Sequence, residues 1–168
     1  MKNILNILLL FSILNMYSQS DLSNRKIPSD TNVTTNHSTI ILGKKVNYSA
    51  QIGTQPIWDA NGEVIATLHY TYYKRTDIEN NTNRPLVFSF NGGPGSASIW
   101  MHMGYTGPYN LKIDDEGNPI QPYGYKSNPY SILDVADIVF VNPINIGFSR
   151  ILKSMTKKEA ADKFFGVN

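Results

Sequence analysis

The chain contains no cysteine, so disulfide bonds contribute nothing to its stability. Its charges are nearly balanced, since 15 basic and 13 acidic residues give a formal net charge of +2. The basic residues are scattered, which argues against the basic stripe that binding to nucleic acid requires. It also has no Gly-Lys-Ser/Thr string and no metal-ligand spacing. We therefore expect no cofactor, no metal and no nucleic-acid partner.

Long hydrophobic runs are also absent. Residues 4–14 are apolar except for Asn6 and Ser12 and follow a short positive start, but they are too few to span a bilayer. This pattern is typical of a signal peptide, and we expect residues 1–19 to be one. Export to the periplasm or beyond follows, with no membrane association after the signal peptide is removed. Residues 20–45 are polar and lack apolar periodicity, which predicts a mobile leader that includes His37.

Further along the chain, the periodicity predicts strands and little helix. Residues 46–52 and 64–73 alternate as strands, and Asn61-Gly62 between them is a strong hairpin signal. A nearly continuous apolar run, residues 86–90, is typical of a strand that is buried on both faces. The remaining predicted elements are a helical turn at 99–103, strands at 109–113 and 138–141, and an amphipathic helix at 157–165. A loop follows each of the strands 86–90 and 138–141, and we expect these two loops to lie at one edge of the sheet, where open α/β sheets bind ligands.

The most informative segment follows the apolar run. Residues 90–98 read Phe-Asn-Gly-Gly-Pro-Gly-Ser-Ala-Ser. Glycines at 92, 93 and 95 allow positive φ angles and let a ligand approach the backbone amides closely. Such a loop can bind a carboxylate, a phosphate or a developing oxyanion. The alternative is a tight turn that is packed for steric reasons only.

Two ordered motifs resemble the serine carboxypeptidases, a branch of the α/β-hydrolase superfamily. The first is Asn-Gly-Gly-Pro-Gly-Ser at 91–96, and the second runs from Asn-Pro-Tyr-Ser at 128–131 to Gly-Phe-Ser at 147–149. The resemblance covers residues 50–168. It implies an α/β fold in which N-terminal antiparallel strands lead into the central mixed sheet of a partial α/β-hydrolase, with residues 46–168 forming the N-terminal part of that domain.

The resemblance also implies residue roles. Asn91 and the Gly92 amide would hold the free α-carboxylate of a peptide substrate, and the Gly93 N–H would form half of the oxyanion hole. Both roles agree with the chemistry of the loop. The expected activity is therefore release of C-terminal residues from peptides.

A catalytic triad is not found in the sequence. The superfamily places its nucleophile in Gly-x-Ser-x-Gly, whereas residues 147–151 here end in Ile151, so Ser149 is expected to be structural. Ser96 and Ser98 are expected to bond within the loop. The histidines supply no substitute for the triad base. His69 is expected to be structural, and His102 is expected to line the pocket without acting as a base. We expect a chain truncated before the nucleophile elbow and inactive by itself.

Two alternatives are open at this point. Prolyl aminopeptidases carry a similar Gly-Gly-Pro-Gly loop with a histidine in front of it, where this chain has Asn91. The other alternative is a non-catalytic secreted protein whose loop binds carboxylates without hydrolysing a peptide bond.

Overall fold

The computed structural model describes residues 30–79, 83–91 and 95–165. The predicted signal peptide and the two glycines assigned to anion binding, Gly92 and Gly93, lie outside these residues. The described chain forms β1 (Thr31–Ile41), β2 (Lys44–Trp58), β3 (Val64–Arg75), β4 (Leu86–Ser89), a π-helical turn (Met101–Thr106), β5 (Tyr109–Leu111), β6 (Tyr125–Ser127), a 3₁₀ turn (Ile132–Asp134), β7 (Asp137–Val141), β8 (Arg150–Ile151) and helix α1 (Lys157–Phe164).

The predicted hairpin is confirmed. β2 and β3 pair antiparallel from Tyr48↔Arg75 to Trp58↔Val64, and both strands extend beyond the alternating stretches that predicted them. Asp59 closes the turn, since its carboxylate accepts the amides of Asn61 and Glu63 at 3.0 Å. Gly62 occupies the position with φ +80°, which side chains rarely adopt. The glycine that indicated this turn in the sequence is therefore the residue that the backbone conformation requires.

The expectation of a mobile leader over residues 20–45 is wrong for residues 31–41. These residues form β1, which pairs antiparallel with β2. The strand lies at the edge of the sheet. Its first eight residues are exposed and the ninth, Thr39, is buried, so no apolar alternation is required. Threonine-rich sequence favours a strand even without that alternation. His37 accordingly lies on a strand.

β1, β2, β3, β7 and β4 lie side by side in that order, and β8 also pairs with β3. β7 is antiparallel to β3 and parallel to β4. The sheet is therefore mixed, with an antiparallel N-terminal part, in agreement with a partial α/β fold. Because β4 and β7 are parallel, their carboxyl ends lie at the same edge, as expected for the two loops.

One face of the sheet holds the core of the antiparallel part. Ile41, Val46, Tyr48 and Ala50 pack there with Leu133 of the 3₁₀ turn, and Tyr73 and Tyr109 adjoin them. The expectation that β4 is buried on both faces is wrong, because Leu86 is 49% and Phe88 59% exposed. Both lie on the face opposite the core, where alternate residues of β4 point. The apolar run therefore predicted the strand but not its environment.

The predicted helix at 157–165 is confirmed as α1. Thr156 caps its first turn, because its hydroxyl accepts the Glu159 amide while the Glu159 carboxylate accepts the Thr156 amide. Within the described parts of the chain, none of the helices has the length and apolar character needed to cross a membrane.

Candidate active site

The two loops that the sequence singled out meet at the carboxyl-end edge of the sheet. One is the glycine loop after β4, and the other follows β7. The backbone N–H of Ser98 in the glycine loop donates to Oδ1 of Asn142, 3.1 Å away, and the Ser98 hydroxyl donates to the carbonyl of Val141. Ser98 is buried, so these bonds are shielded from water. The glycine loop is thereby fixed to the end of the neighbouring strand.

Of the three predicted site residues, Asn91 is the one that the structure describes. It is half-buried two residues beyond β4, and its Oδ1 accepts the backbone N–H of Met101 at 3.2 Å. A side-chain amide has one acceptor oxygen and one donor nitrogen. Because the oxygen bonds to the helical turn, the Nδ2 group, on the other branch of the same planar amide, points away from that bond. This orientation leaves a donor for a negatively charged group.

Asn142 is a residue whose role the sequence analysis did not identify. Besides accepting the Ser98 amide, its Nδ2 lies 3.2 Å from Nδ1 of His69, and its backbone N–H donates to the His69 carbonyl at 3.0 Å. Gly147, at φ +56°, packs against it so closely that a Cβ would lie 2.6 Å from Asn142 Nδ2. The sequence offered one indication that Asn142 has a role: like Asn91, it comes directly after a predicted strand. Asn142 therefore connects both loops to β3.

Ser149 is fully buried and structural in its contacts. Its hydroxyl accepts the backbone N–H of His69 at 2.8 Å and donates to the carbonyl of Asn142 at 2.7 Å. With both functions of the hydroxyl in use, the side chain holds the second loop against β3. These contacts agree with the expectation that Ser149 is not a nucleophile.

His102 lies in the helical turn and faces the sheet. Its ring stacks on Phe140 at 4.4 Å, and its Nε2 lies 2.6 Å from the Tyr73 hydroxyl. Burial lowers its pKa to about 4, with a smaller contribution from His69. Burial also lowers the pKa of His69. Both imidazoles are therefore neutral at physiological pH, and the structure brings His102 to the pocket as expected.

A cavity of about 790 Å³ lies beside the loops. Its walls include Phe140 and Phe148, the two imidazoles, and Ala97 and Ser98 from the glycine loop. Ala97 and Ser98 line the cavity, whereas Asn91 of the same loop does not. No cluster of three potential metal-ligating side chains occurs among residues 30–79, 83–91 and 95–165.

The comparison with protein families agrees with this geometry. The sequence profile of the family described as serine carboxypeptidase matches residues 57–165, which include both loops and the strands that precede them. The match favours the carboxypeptidase resemblance over the prolyl aminopeptidase alternative.

Curated relatives extend the comparison. Serine carboxypeptidase-like 31 of Arabidopsis thaliana is 29% identical over 71% of this chain and 22% of its own length. Serine carboxypeptidase-like 20 of the same plant is 32% identical over 46% of this chain and 16% of its own length. Carboxypeptidase Y of Candida albicans is 31% identical over 56% of this chain and 16% of its own length.

These alignments cover about a fifth or less of each relative. The family match, in contrast, extends over more than half of this chain and contains the whole site described above. The chain belongs to the serine carboxypeptidase family.

Proposed function

We propose that the complete protein is a serine-type carboxypeptidase that releases C-terminal residues from peptides, and that this chain supplies its carboxylate-binding and oxyanion-binding loop. The observation that carries the proposal is the orientation of Asn91. Its oxygen bonds to Met101 N–H, so its Nδ2 group is available as a donor in the glycine loop that matches the family. A donor beside backbone amides suits the terminal carboxylate of a peptide.

In this proposal, Asn91 Nδ2 and the Gly92 amide bind the free carboxylate, and the Gly93 N–H donates to the oxyanion that forms on the neighbouring carbonyl. Binding the chain end and the reacting carbonyl one residue apart restricts cleavage to the last peptide bond. An oxyanion donor that is fixed before the reaction stabilises the transition state more than the substrate, which raises the rate of the chemical step.

None of the residues in this chain is assigned as nucleophile, acid or base. Ser149 has both functions of its hydroxyl in use, and the sequence contains no Gly-x-Ser-x-Gly. We propose that the 168 residues alone do not hydrolyse peptides. We also propose that residues 1–19 act as a signal peptide and that the protein is exported, since a positive start and a short apolar run characterise such segments.

The test uses the natural full-length protein and two substitutions at one position. Asn91→Ala removes the donor, and Asn91→Asp keeps an oxygen for the Met101 N–H while placing a negative charge beside the substrate carboxylate. We expect Asn91→Ala to reduce kcat/KM on N-blocked dipeptides by roughly 10- to 100-fold, the loss of a hydrogen bond to a charged group. Asn91→Asp should reduce it further, because like charges repel.

Esters of N-blocked amino acids with a blocked C-terminus are the comparison substrate. Both variants should hydrolyse them at close to the wild-type rate, because no free carboxylate is bound. Asn36→Ala, an exposed asparagine on β1, is the matched control and should leave both substrates unaffected. Equal losses on peptides and esters would exclude the proposed role of Asn91, and absence of hydrolysis by the wild-type protein would favour a non-catalytic carboxylate-binding protein.

A further inference from the structure

β5 and β6 pair antiparallel, and a second cavity, of about 300 Å³, lies where the core face of β1–β3 meets them. Aromatic rings from both sides of this junction and from the helical turn dominate its walls: His37, Tyr48, Tyr73, His102, Tyr109 and Tyr125. Neither loop of the candidate active site supplies these rings. This second cavity adjoins the larger cavity, with which it shares Ile52, His102 and Met103.

The rings stand at different angles to one another. Tyr48 and Tyr73 form an edge-to-face pair, with centroids 5.6 Å apart and planes at 74°, and Tyr109 and Tyr125 form another at 5.1 Å and 79°. His37 stacks on Tyr48 at 5.6 Å. The rings therefore meet one another at several angles and do not form one parallel stack.

Among the described residues, the cavity is lined by no lysine, arginine, aspartate or glutamate. Its other described lining residues are Thr35, Ala50, Ile52, Met103 and Pro108. Burial raises the pKa of Tyr73 to about 12, and burial together with the nearby phenols of Tyr109, Tyr73 and Tyr125 raises that of Tyr48. The phenols of Tyr48 and Tyr73 therefore stay protonated at neutral pH, and buried His102 is neutral there. Electron-rich rings surround a space from which carboxylates and cationic side chains are absent among the described residues.

We propose that this aromatic cavity binds a compact organic cation, with an ammonium or guanidinium group against the tyrosine rings. The negative faces of aromatic rings attract cations, and the attraction grows when the site excludes water. An anionic ligand would find no lysine or arginine on the described walls. The volume lies at the lower end of the range for small-molecule sites and suits a group such as trimethylammonium or the end of an arginine.

Isothermal titration calorimetry with the full chain tests the proposal with two pairs of probes. Choline is compared with 3,3-dimethyl-1-butanol, its neutral isostere, and N-acetyl-arginine amide with N-acetyl-citrulline amide. Each cation should bind about 5- to 30-fold more tightly than its neutral partner. Tighter binding of the arginine derivative identifies a peptide side chain as the source of the cation, and tighter binding of choline identifies a small quaternary amine.

Tyr125 is the best position for a variant because it is 64% exposed, so its ring can be removed without opening the core. Tyr125→Leu should weaken binding of the preferred cation by about 5-fold or more, and Tyr125→Phe, which keeps the ring, should retain it. Tyr123→Leu is the matched control, since Tyr123 is 71% exposed and lines a different cavity.

Equal affinity for a cation and its neutral isostere would overturn the proposal, as would the absence of binding by any of the four probes. Unchanged cation binding by Tyr125→Leu would also overturn it, because the site would then lie elsewhere. Any of these three results would mean that the aromatic rings serve only to pack the structure.

Discussion

Two asparagines illustrate what single residues reveal in this sequence. Asn91 could be assigned a role from the sequence because it lies inside a short glycine-rich string whose chemistry is local. Asn142 could not, because its partners His69 and Ser98 lie 73 and 44 positions away and reach it only through sheet pairing. Side chains that act through distant backbone positions leave no periodic signal in the sequence.

His102 gives a pH prediction at the same scale. Its pKa falls from 6.5 to about 4 on folding because it is buried. The unfolded chain therefore binds the proton more readily, so this histidine contributes stability that is fully present above pH 6.5 and lost as the pH falls toward 4. The contribution is about 3 kcal/mol at most.

The measurement is the free energy of unfolding by urea at pH 7 and at pH 4 to 5. The fall in stability between these values should be smaller in His102→Gln, which stays neutral and can still bond to the Tyr73 hydroxyl. His37→Gln, on exposed β1, is the control and should behave like the wild type. An unchanged pH dependence in His102→Gln would mean that this imidazole is not the group responsible.

Among the elements, those with a strict period or a specific turn were predictable. The β2–β3 hairpin follows from alternation and Asn-Gly, and helix α1 from the amphipathic pattern of residues 157–165. β1 was missed because an edge strand whose first eight residues are exposed has no apolar alternation. The burial of β4 was misjudged because a continuous apolar run specifies a strand but not what packs on each face.

The hairpin turn is testable as an element. Gly62→Ala places a side chain at φ +80° and should lower the free energy of unfolding by about 1–2 kcal/mol, the penalty of the left-handed region. Gly124→Ala is the matched control, since a Cβ there meets open space and its φ is not in that region. It should be neutral or slightly stabilising in thermal unfolding. Equal melting temperatures of the two variants would show that the turn does not require glycine.

For the whole molecule, the sequence predicted that two loops meet at one sheet edge, and parallel β4 and β7 place them there. It did not predict how β4 is held in the sheet. Arg84, just before β4, donates from Nε to the Asp137 carboxylate at 2.8 Å, and from Nη2 to the carbonyl of Leu133 at 2.5 Å. The same Asp137 oxygen accepts the Arg75 amide of β3 at 3.1 Å.

This ion pair therefore connects three strands and the 3₁₀ turn, and it is shielded from water, with side-chain exposures of 9% for Arg84 and 10% for Asp137. Asp137→Asn keeps an oxygen for the Arg75 amide but leaves the guanidinium without its counter-charge. Removing one partner of a buried pair costs about 3–5 kcal/mol, so the variant should unfold at markedly lower urea concentration.

Asp162→Asn is the control, since Asp162 pairs with Lys158 on the exposed surface of α1, where such pairs contribute about 0.3–0.5 kcal/mol. Because Asp137 positions β4 and β4 leads into the glycine loop, Asp137→Asn should also weaken hydrogen-exchange protection in β4 and β7 more than in the β2–β3 hairpin. Similar urea midpoints for the two variants would contradict the view that this buried charge pair holds β4 in the sheet.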